Sequence, residues 1–220
     1  KEEASMDSFV VIGLGSFGMS LARELYRMGH EVLAVDKNEG VVHRIADSVS
    51  HAITADARDE QVLKSIGVRN FDYAVVAFAE NIQDNILITL MLKELGCKNV
   101  IAKGNDYLHV KVLTRIGADR IVFPEADMGI RIAQLIASSN IIDYIDISEE
   151  YSIVEVGAPS RWCGKSIRQI DVRAKYGINI LAVKNQDGSA INVSPEPDYI
   201  IRRGDVLVVI GANDDIRQLG

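Results

Sequence analysis

The sequence predicts an α/β protein, a doubly wound parallel sheet followed by a small α+β C-terminal lobe. Three observations predict it. From Phe9 to Ser138, short apolar runs alternate with segments whose apolar residues recur at helical spacing, the pattern of successive βαβ units. The run Tyr73 to Phe78 is apolar throughout, as a strand covered on both faces of a parallel sheet must be. Past Asn140 the alternation stops, and strand-like segments follow one another with one helical stretch among them.

The first strand, Phe9 to Ile12, runs into Gly13, and Gly15 and Gly18 complete a G-x-G-x-x-G turn. Leu21, Ala22, Leu25 and Met28 recur helically over Ser16 to Met28, and Gly29 closes that helix. Val32 to Val35 is a second strand tipped by Asp36. A helical face of Val41, Val42, Ile45 and Ala46 follows over Glu39 to Ser48. His51 to Ala55 is a third strand ending at Asp56, and Asp59 to Gly67 a helix opened by an acidic turn. After Tyr73 to Phe78 come a helix over Asn81 to Leu95, a strand over Val100 to Lys103 and a helix over Tyr107 to Ile116. A short strand, Arg120 to Phe123, is stopped by Pro124, and Ala126 to Ser138 makes a last helix with Met128, Ile132 and Leu135 on one face. That helix is expected either to cover the sheet or to cross over and pack on a partner.

The boundary between the two parts is expected near 140 to 148, giving a parallel α/β domain over 8–140 and a small α+β lobe over 141–220. In the lobe, Ile141 to Val156 reads as strands, and Ser166 to Tyr176 as one helix closed by Gly177. Ile178 to Lys184 and Ala190 to Val193 form a hairpin around Gln186-Asp187-Gly188, a strong turn signal. A polar turn at Arg202 to Asp205 precedes a strand over Val206 to Ile210 and a terminal helix from Asn213 to Leu219.

A net charge of −7 over 220 residues argues against non-specific nucleic-acid binding, which needs a basic surface. No apolar run approaches the roughly eighteen residues of a membrane span, and no signal peptide is visible, so a cytoplasmic protein is expected. Residues 1–5 read as a loose tail before Met6 and are left out of the fold. Cys97 and Cys163 lie far apart, make no metal pattern and read as idle thiols.

The strand, glycine turn, helix and second strand with its terminal acid are in register for a Rossmann-like nucleotide site. In the turn Gly13, Leu14, Gly15, Ser16, Phe17, Gly18, the first glycine permits the tight bend. The second admits a pyrophosphate, and the third lets helix and strand pack closely. The helix start offers free N–H groups and a positive dipole end to phosphates. Asp36, followed by Lys37, is placed to accept from both ribose hydroxyls and to repel a 2′-phosphate. Strand tips cluster at Gly13, Asp36, Asp56, Ala79 and Lys103, so these should face one crevice. Asp56 and Ala57 stand beside a base, or Asp56 caps a turn. Glu80 follows the fourth strand, and the neighbouring Asn81 is equally a helix cap. Lys103 is either a phosphate contact or a solvated lysine. Glu125, after Pro124, either holds a hard cation or serves the helix dipole. The four histidines, His30, His43, His51 and His109, show no zinc spacing, and no catalytic triad or hydride-transfer base is visible. A nucleotide site without such groups points to a sensor more than an enzyme.

The segments VIGLGSFG, EVLAVD, RNFDYAVVAFAENIQDNILITLMLKELG and IGADRIVFPEADMGIRIAQ resemble the RCK (KTN) domain, as do DVRAKYGINILAVK and SPEPDYIIRRGDVLVVIG. Together, over Ser8 to Leu219, they are similar to the cytosolic regulatory subunits of Ktr-type bacterial potassium uptake systems. The resemblance implies a Rossmann-like lobe, a crossover helix and a small C-terminal lobe. It further implies homodimers assembled into an octameric ring beneath a membrane potassium channel subunit, at the inner face of the membrane. It implies ATP and ADP at the glycine turn as activating and inactivating ligands, NAD(H) as another occupant, and no enzymatic turnover. By motif, Gly13, Gly15 and Gly18 line the phosphates and Asp36 the ribose. Asp56 and Ala57 lie near the base, with Ala79, Glu80 and Lys103 along the pocket. Glu125 matches a cation-coordinating acid near the γ-phosphate, for Mg2+ or another cation. In the C-terminal lobe, Asp171, Val172, Arg173, Asn179, Ile180 and Pro195 match a cyclic di-AMP site that spans a dimer.

The chain departs from the family at Ser16, where the glycine turn often carries an arginine that reaches a phosphate in the neighbouring subunit. Serine supplies no such charge, although a hydroxyl at a helix start can donate to a phosphate. The competing readings are an NAD-dependent oxidoreductase, which requires a catalytic base near the pocket, and a free-standing nucleotide-binding protein without a channel.

Overall fold

The computed structural model describes residues 6–78, 80–137, 141–148, 150–185 and 189–219. They fall into two units, Lys1–Glu125 and Ala126–Gly220, each with its own sheet and core. In the first unit the apolar runs become six parallel strands: β1 Ser8–Ile12, β2 Glu31–Asp36, β3 His51–Thr54, β4 Tyr73–Val76, β5 Asn99–Lys103 and β6 Arg120–Val122. Their order is β3-β2-β1-β4-β5-β6, so the chain winds outward from β1, then returns to build the other half of the sheet from β4. Helices α1 Ser16–Arg27, α2 Glu39–Ile45, α3 Glu60–Ser65, α4 Ile82–Glu94 and α5 Tyr107–Arg115 carry the crossovers.

Alternation along β1 explains why the strands read as unbroken apolar runs. Val10 and Ile12 pack with Leu33, Val35, Val76 and Leu92 on one face of the sheet. Phe9 and Val11 pack with Ala22, Ala34, Val42 and Ile45 on the other. Both faces are buried, and each such Val or Ile contributes about 1.5–3 kcal/mol. Helix starts follow local chemistry. Asn38, Asp59, Asn81 and Asp106 each accept a backbone N–H of the helix that follows, so α2, α3, α4 and α5 are capped. Cys97 is buried beneath this sheet, where desolvation pushes its thiol up to about 11, as expected for an idle thiol.

The next helix, α6 Pro124–Ala137, starts two residues earlier than expected. Pro124 does end the strand, but proline is also favoured in the first turn of a helix, where its missing N–H costs nothing. The apolar side chains of Met128, Ile130, Ile132 and Ile136 on α6 are exposed. Its end at Ser138 and the segment around Asn140 lie outside the described residues.

The second unit is a five-stranded antiparallel sheet ordered β10-β9-β11-β8-β7, with β7 Ile141–Asp146, β8 Tyr151–Gly157, β9 Asn179–Lys184, β10 Ile191–Val193 and β11 Val206–Ala212. Its core gathers Trp162, Val154, Ile178, Leu207 and Ile216, the last from α9, which spans Asn213–Arg217 once the two short helices α7 Ile167–Ile170 and α8 Val172–Tyr176 are counted. Those two helices correct the sequence reading of one helix over Ser166 to Tyr176. Asp171 stands between them with φ 54° and ψ 53°, in the left-handed region, and no continuous helix passes through that conformation. A capping box between Ser166 and Gln169 starts the first piece, and Gly177, also left-handed, ends the second. The polar turn at Arg202 is held by Asp205, whose carboxylate accepts from Arg202 N at 2.9 Å and from the Tyr199 hydroxyl at 3.1 Å. Strands β9 and β10 pair as expected, while the turn Gln186-Asp187-Gly188 lies outside the described residues. Among the described residues no helix is long and apolar enough to cross a membrane.

Candidate functional site

The strand order reverses between β1 and β4, and a crevice outside the carboxyl ends of the strands is expected at that point. A cleft of about 520 Å³ opens there. Its floor is the turn between β1 and α1. Gly13 has φ +92°, and a Cβ on it would meet Phe78 Cδ1 at 2.6 Å. A Cβ on Gly18 would stand 2.0 Å from the Gly13 carbonyl oxygen, so Gly18 sits behind the turn and sets how closely α1 packs. Gly15 differs from both: it has an ordinary φ of −66°, and a Cβ there would meet nothing within 4 Å. Its open side belongs to the cleft, which Leu14, Ser16 and Phe17 also line.

Gly15 is the N-cap of α1 and supplies no side-chain acceptor. The other helices crossing this sheet are capped, whereas the first turn of α1 presents its N–H groups and dipole to the cleft. Asp36 closes the turn from the β2 tip. Its Oδ2 accepts from Leu14 N at 2.7 Å and its Oδ1 from Asn38 N at 2.8 Å. An ionised carboxylate has about four acceptor sites, so each oxygen retains one beyond the bond it accepts here, on a residue that lines the cleft. Lys37 lines the cleft beside it.

Asp56 and Ala57, past the β3 tip, line the cleft further along the strand ends. Asp56 does cap a turn, its Oδ1 accepting from Arg58 N at 3.0 Å, and it also carries an ion pair. Arg58 holds it with Nε at 2.9 and 3.1 Å and Nη2 at 2.6 Å, and this contact pulls the Asp56 carboxyl down to about 2. Arg58 also reaches Asp84, in the first turn of α4, at 3.7 Å. On the other side of β1, Glu80 lines the cleft, while Asn81 next to it accepts from Asp84 N at 3.1 Å and so caps α4. Ala79 lies outside the described residues. Lys103, at the β5 tip, is only 15% exposed and pairs with Glu125 at 2.5 Å, so it is not a solvated surface lysine. The Lys103 ammonium holds the Glu125 carboxyl below its ordinary range. No cluster of three or more His, Cys, Asp or Glu suited to a metal occurs among the described residues.

The structure therefore gathers Gly13 through Phe17, Asp36, Lys37, Asp56, Ala57, Glu80, Lys103 and Glu125 around one cleft. Sequence reasoning missed Arg58, Asp84 and Asn85. Asn85 is fully buried, and its Nδ2 donates to the main-chain carbonyls of Phe78 at 2.5 Å and Lys103 at 3.1 Å, tying the β4 tip to the β5 tip. Asn85 is flanked by the apolar run from Ile86 to Ile88 and lies three residues from both Ile82 and Ile88, on the helix's buried face, and a polar residue at such a position was the available signal.

In the second unit, Asp171, Val172 and Arg173 surround the break between α7 and α8, with Val172 buried and Arg173 exposed. Gly177 leads from α8 into Asn179 and Ile180 at the start of β9. Ser194, with φ 58°, donates its N–H to Leu181 O at 2.8 Å, which sets the backbone just before Pro195 alongside β9.

The parallel order β3-β2-β1-β4-β5-β6 with a glycine turn at its reversal defines the first unit as a Rossmann-like domain. Residues 9–124 match the TrkA-N domain and residues 151–220 the TrkA-C domain, so the chain belongs to the family of RCK-type proteins that joins these two domains. It is 51% identical to Ktr system potassium uptake protein A of Bacillus subtilis (strain 168), over 96% of this chain and 94% of that protein. It is 50% identical to Ktr system potassium uptake protein C of the same organism, over 94% of this chain and 93% of that one. Among solved structures, the GsuK RCK domain shares the fold, with a TM-score of 0.67 at 18% identity, covering 100% of this chain and 48% of that one.

Proposed function

We propose that this chain is a regulatory subunit of a potassium uptake system that senses adenine nucleotides in the cleft of its first unit. The observation that carries this reading is the uncapped first turn of α1 beside the Asp36 carboxylate, in a chain half identical to two potassium uptake proteins. The residues present fit a nucleotide. Open space at Gly15 admits phosphates, the α1 N–H groups and Lys103 favour their charge, and the two remaining acceptor sites of Asp36 suit a vicinal diol. Asp56 and Ala57 lie beyond Asp36 along the strand tips, where the base falls when the phosphates sit at the glycine turn. Glu125 is the acid of this cleft for Mg2+ or another cation, with phosphate oxygens completing its coordination.

The reading assigns binding to this cleft, with no chemical turnover. ATP and ADP regulate by binding two conformations of the assembly unequally, since a ligand of equal affinity for both shifts nothing. NAD(H) competes for the same cleft. The partner is a membrane potassium channel subunit, and the working form is a ring of homodimers at the cytosolic face of the membrane. The exposed apolar side chains of α6 suit packing against a second copy. Ser16 gives the turn a hydroxyl where a positive charge would bind phosphate more strongly, so ATP is held with less electrostatic help. Cyclic di-AMP occupies the second unit, with Arg173 on a phosphate and Ile180 and Pro195 against the bases.

The test is complementation. A strain lacking potassium uptake is given a Ktr-type channel subunit together with this chain or its Asp36→Ala variant. Growth at low potassium with the unaltered chain, and its loss with the variant, supports the reading. No association with the channel subunit and no growth in either case rejects it.

A further inference from the structure

Lys103 and Glu125 reach the cleft from different elements. Lys103 ends β5, and Glu125 is the second residue of α6, the helix that carries the chain onward into the second unit. Nζ and Oε1 are 2.5 Å apart, with the lysine side chain 15% exposed and the glutamate 66%. The ammonium is sheltered and the carboxylate stands at the rim. Lys103 Nζ also lies 5.9 Å from the centroid of the Phe17 ring, which places the cation beside the uncapped first turn of α1. Asn85 holds the main-chain carbonyl of Lys103 and ties that strand tip to the β4 tip.

We propose that the Lys103–Glu125 ion pair is an internal plug, in which Glu125 holds in the free protein the cation that an incoming phosphoryl group takes over. The inference rests on the nucleotide reading of the cleft. Any anion drawn to the α1 N-terminus meets an ammonium already neutralised by a carboxylate. Both anions cannot share one sheltered cation without repulsion, so the phosphate displaces Glu125. A phosphate carries more charge than a carboxylate and also gains the α1 N–H groups, which favours the exchange. The displaced carboxylate stays at the start of α6, where the helix dipole supports it. The plug lowers the cleft's preference for phosphate over the bare nucleoside, because a phosphate must open the pair and a nucleoside enters without doing so.

The experiment is calorimetric titration with ATP and with adenosine in excess chelator, using the unaltered protein, Glu125→Gln, Lys103→Met and the double variant. Removing the plug should tighten ATP about threefold to tenfold, as expected for one partly sheltered ion pair, and leave adenosine unchanged. Lys103→Met should weaken ATP, and in its background Glu125→Gln should have no further effect. Unchanged or weaker ATP binding by Glu125→Gln overturns the plug. So does equal tightening in the Lys103→Met background, which is plain repulsion. If the unaltered protein binds neither ATP nor adenosine, the nucleotide reading of the cleft itself fails, and the plug fails with it.

Discussion

The Asp36 carboxylate accepts the backbone N–H of Leu14 at 2.7 Å, tying the tip of the second strand to the glycine turn of the first. The acid therefore shapes the turn as well as facing the cleft. Asp36→Ala should strand the Leu14 and Asn38 N–H groups and destabilise the first unit by about 1–3 kcal/mol. It should also weaken ATP and ADP by about tenfold or more through loss of a charged acceptor. Denaturant unfolding and calorimetry measure the two effects, and unchanged nucleotide affinity would remove Asp36 from the site.

Gly15 and Gly18 separate folding from binding. A methyl on Gly18 meets the Gly13 carbonyl oxygen, so Gly18→Ala should destabilise the protein by about 2 kcal/mol or more. A methyl on Gly15 meets nothing, so Gly15→Ala should unfold within about 0.5 kcal/mol of the unaltered protein. It should nonetheless lose about tenfold or more in ATP affinity, because the methyl stands where the pyrophosphate approaches. Thermal unfolding beside titration tests the pair.

Arg58 sets the ionisation of Asp56. The guanidinium, with the Arg58 backbone N–H behind it, holds that carboxyl at about 2, below its ordinary 3.8, so Arg58→Ala, which keeps the N–H, should return it part of the way in a carboxyl-detected NMR titration. A depressed acid stabilises the fold above its unfolded value and loses that contribution as pH falls through its folded value. The dependence therefore lies between about pH 4 and pH 2 and should flatten in the variant. Both side chains are more than 40% exposed, so the stability effect is small and fades with salt.

Arg173 is exposed beside the break at Asp171, so its removal should leave the fold unchanged. Arg173→Ala should weaken cyclic di-AMP by about tenfold while sparing ATP, given the strength of a charge-assisted phosphate contact. Equal loss of both ligands would argue against two separate sites.

Much of this was legible in the residues because the first unit is built from local signals. Strands covered on both faces need unbroken apolar runs, and Asn38, Asp59, Asn81 and Asp106 each announce a helix one residue ahead. The glycine turn and Asp36 are a spacing, which a sequence displays directly. Partner choice across the sheet is not. Nothing near Arg58 says that it holds Asp56 and reaches Asp84, or that Lys103 turns to Glu125 twenty-two positions away. The break at Asp171 was missed because apolar spacing across Ser166 to Tyr176 suits one helix, and a single left-handed aspartate leaves that spacing intact.

The most direct test of nucleotide sensing is a calorimetric titration of the nucleotide-stripped protein with ATP and ADP, with NADH alongside. The account predicts saturable binding of both adenine nucleotides with unequal affinities, and weaker NADH. Tight NADH with negligible ATP would contradict it and point to an oxidoreductase. Equal affinity for ATP and ADP in every assembly state would contradict it too, because exchanging one for the other then leaves the conformational equilibrium where it was.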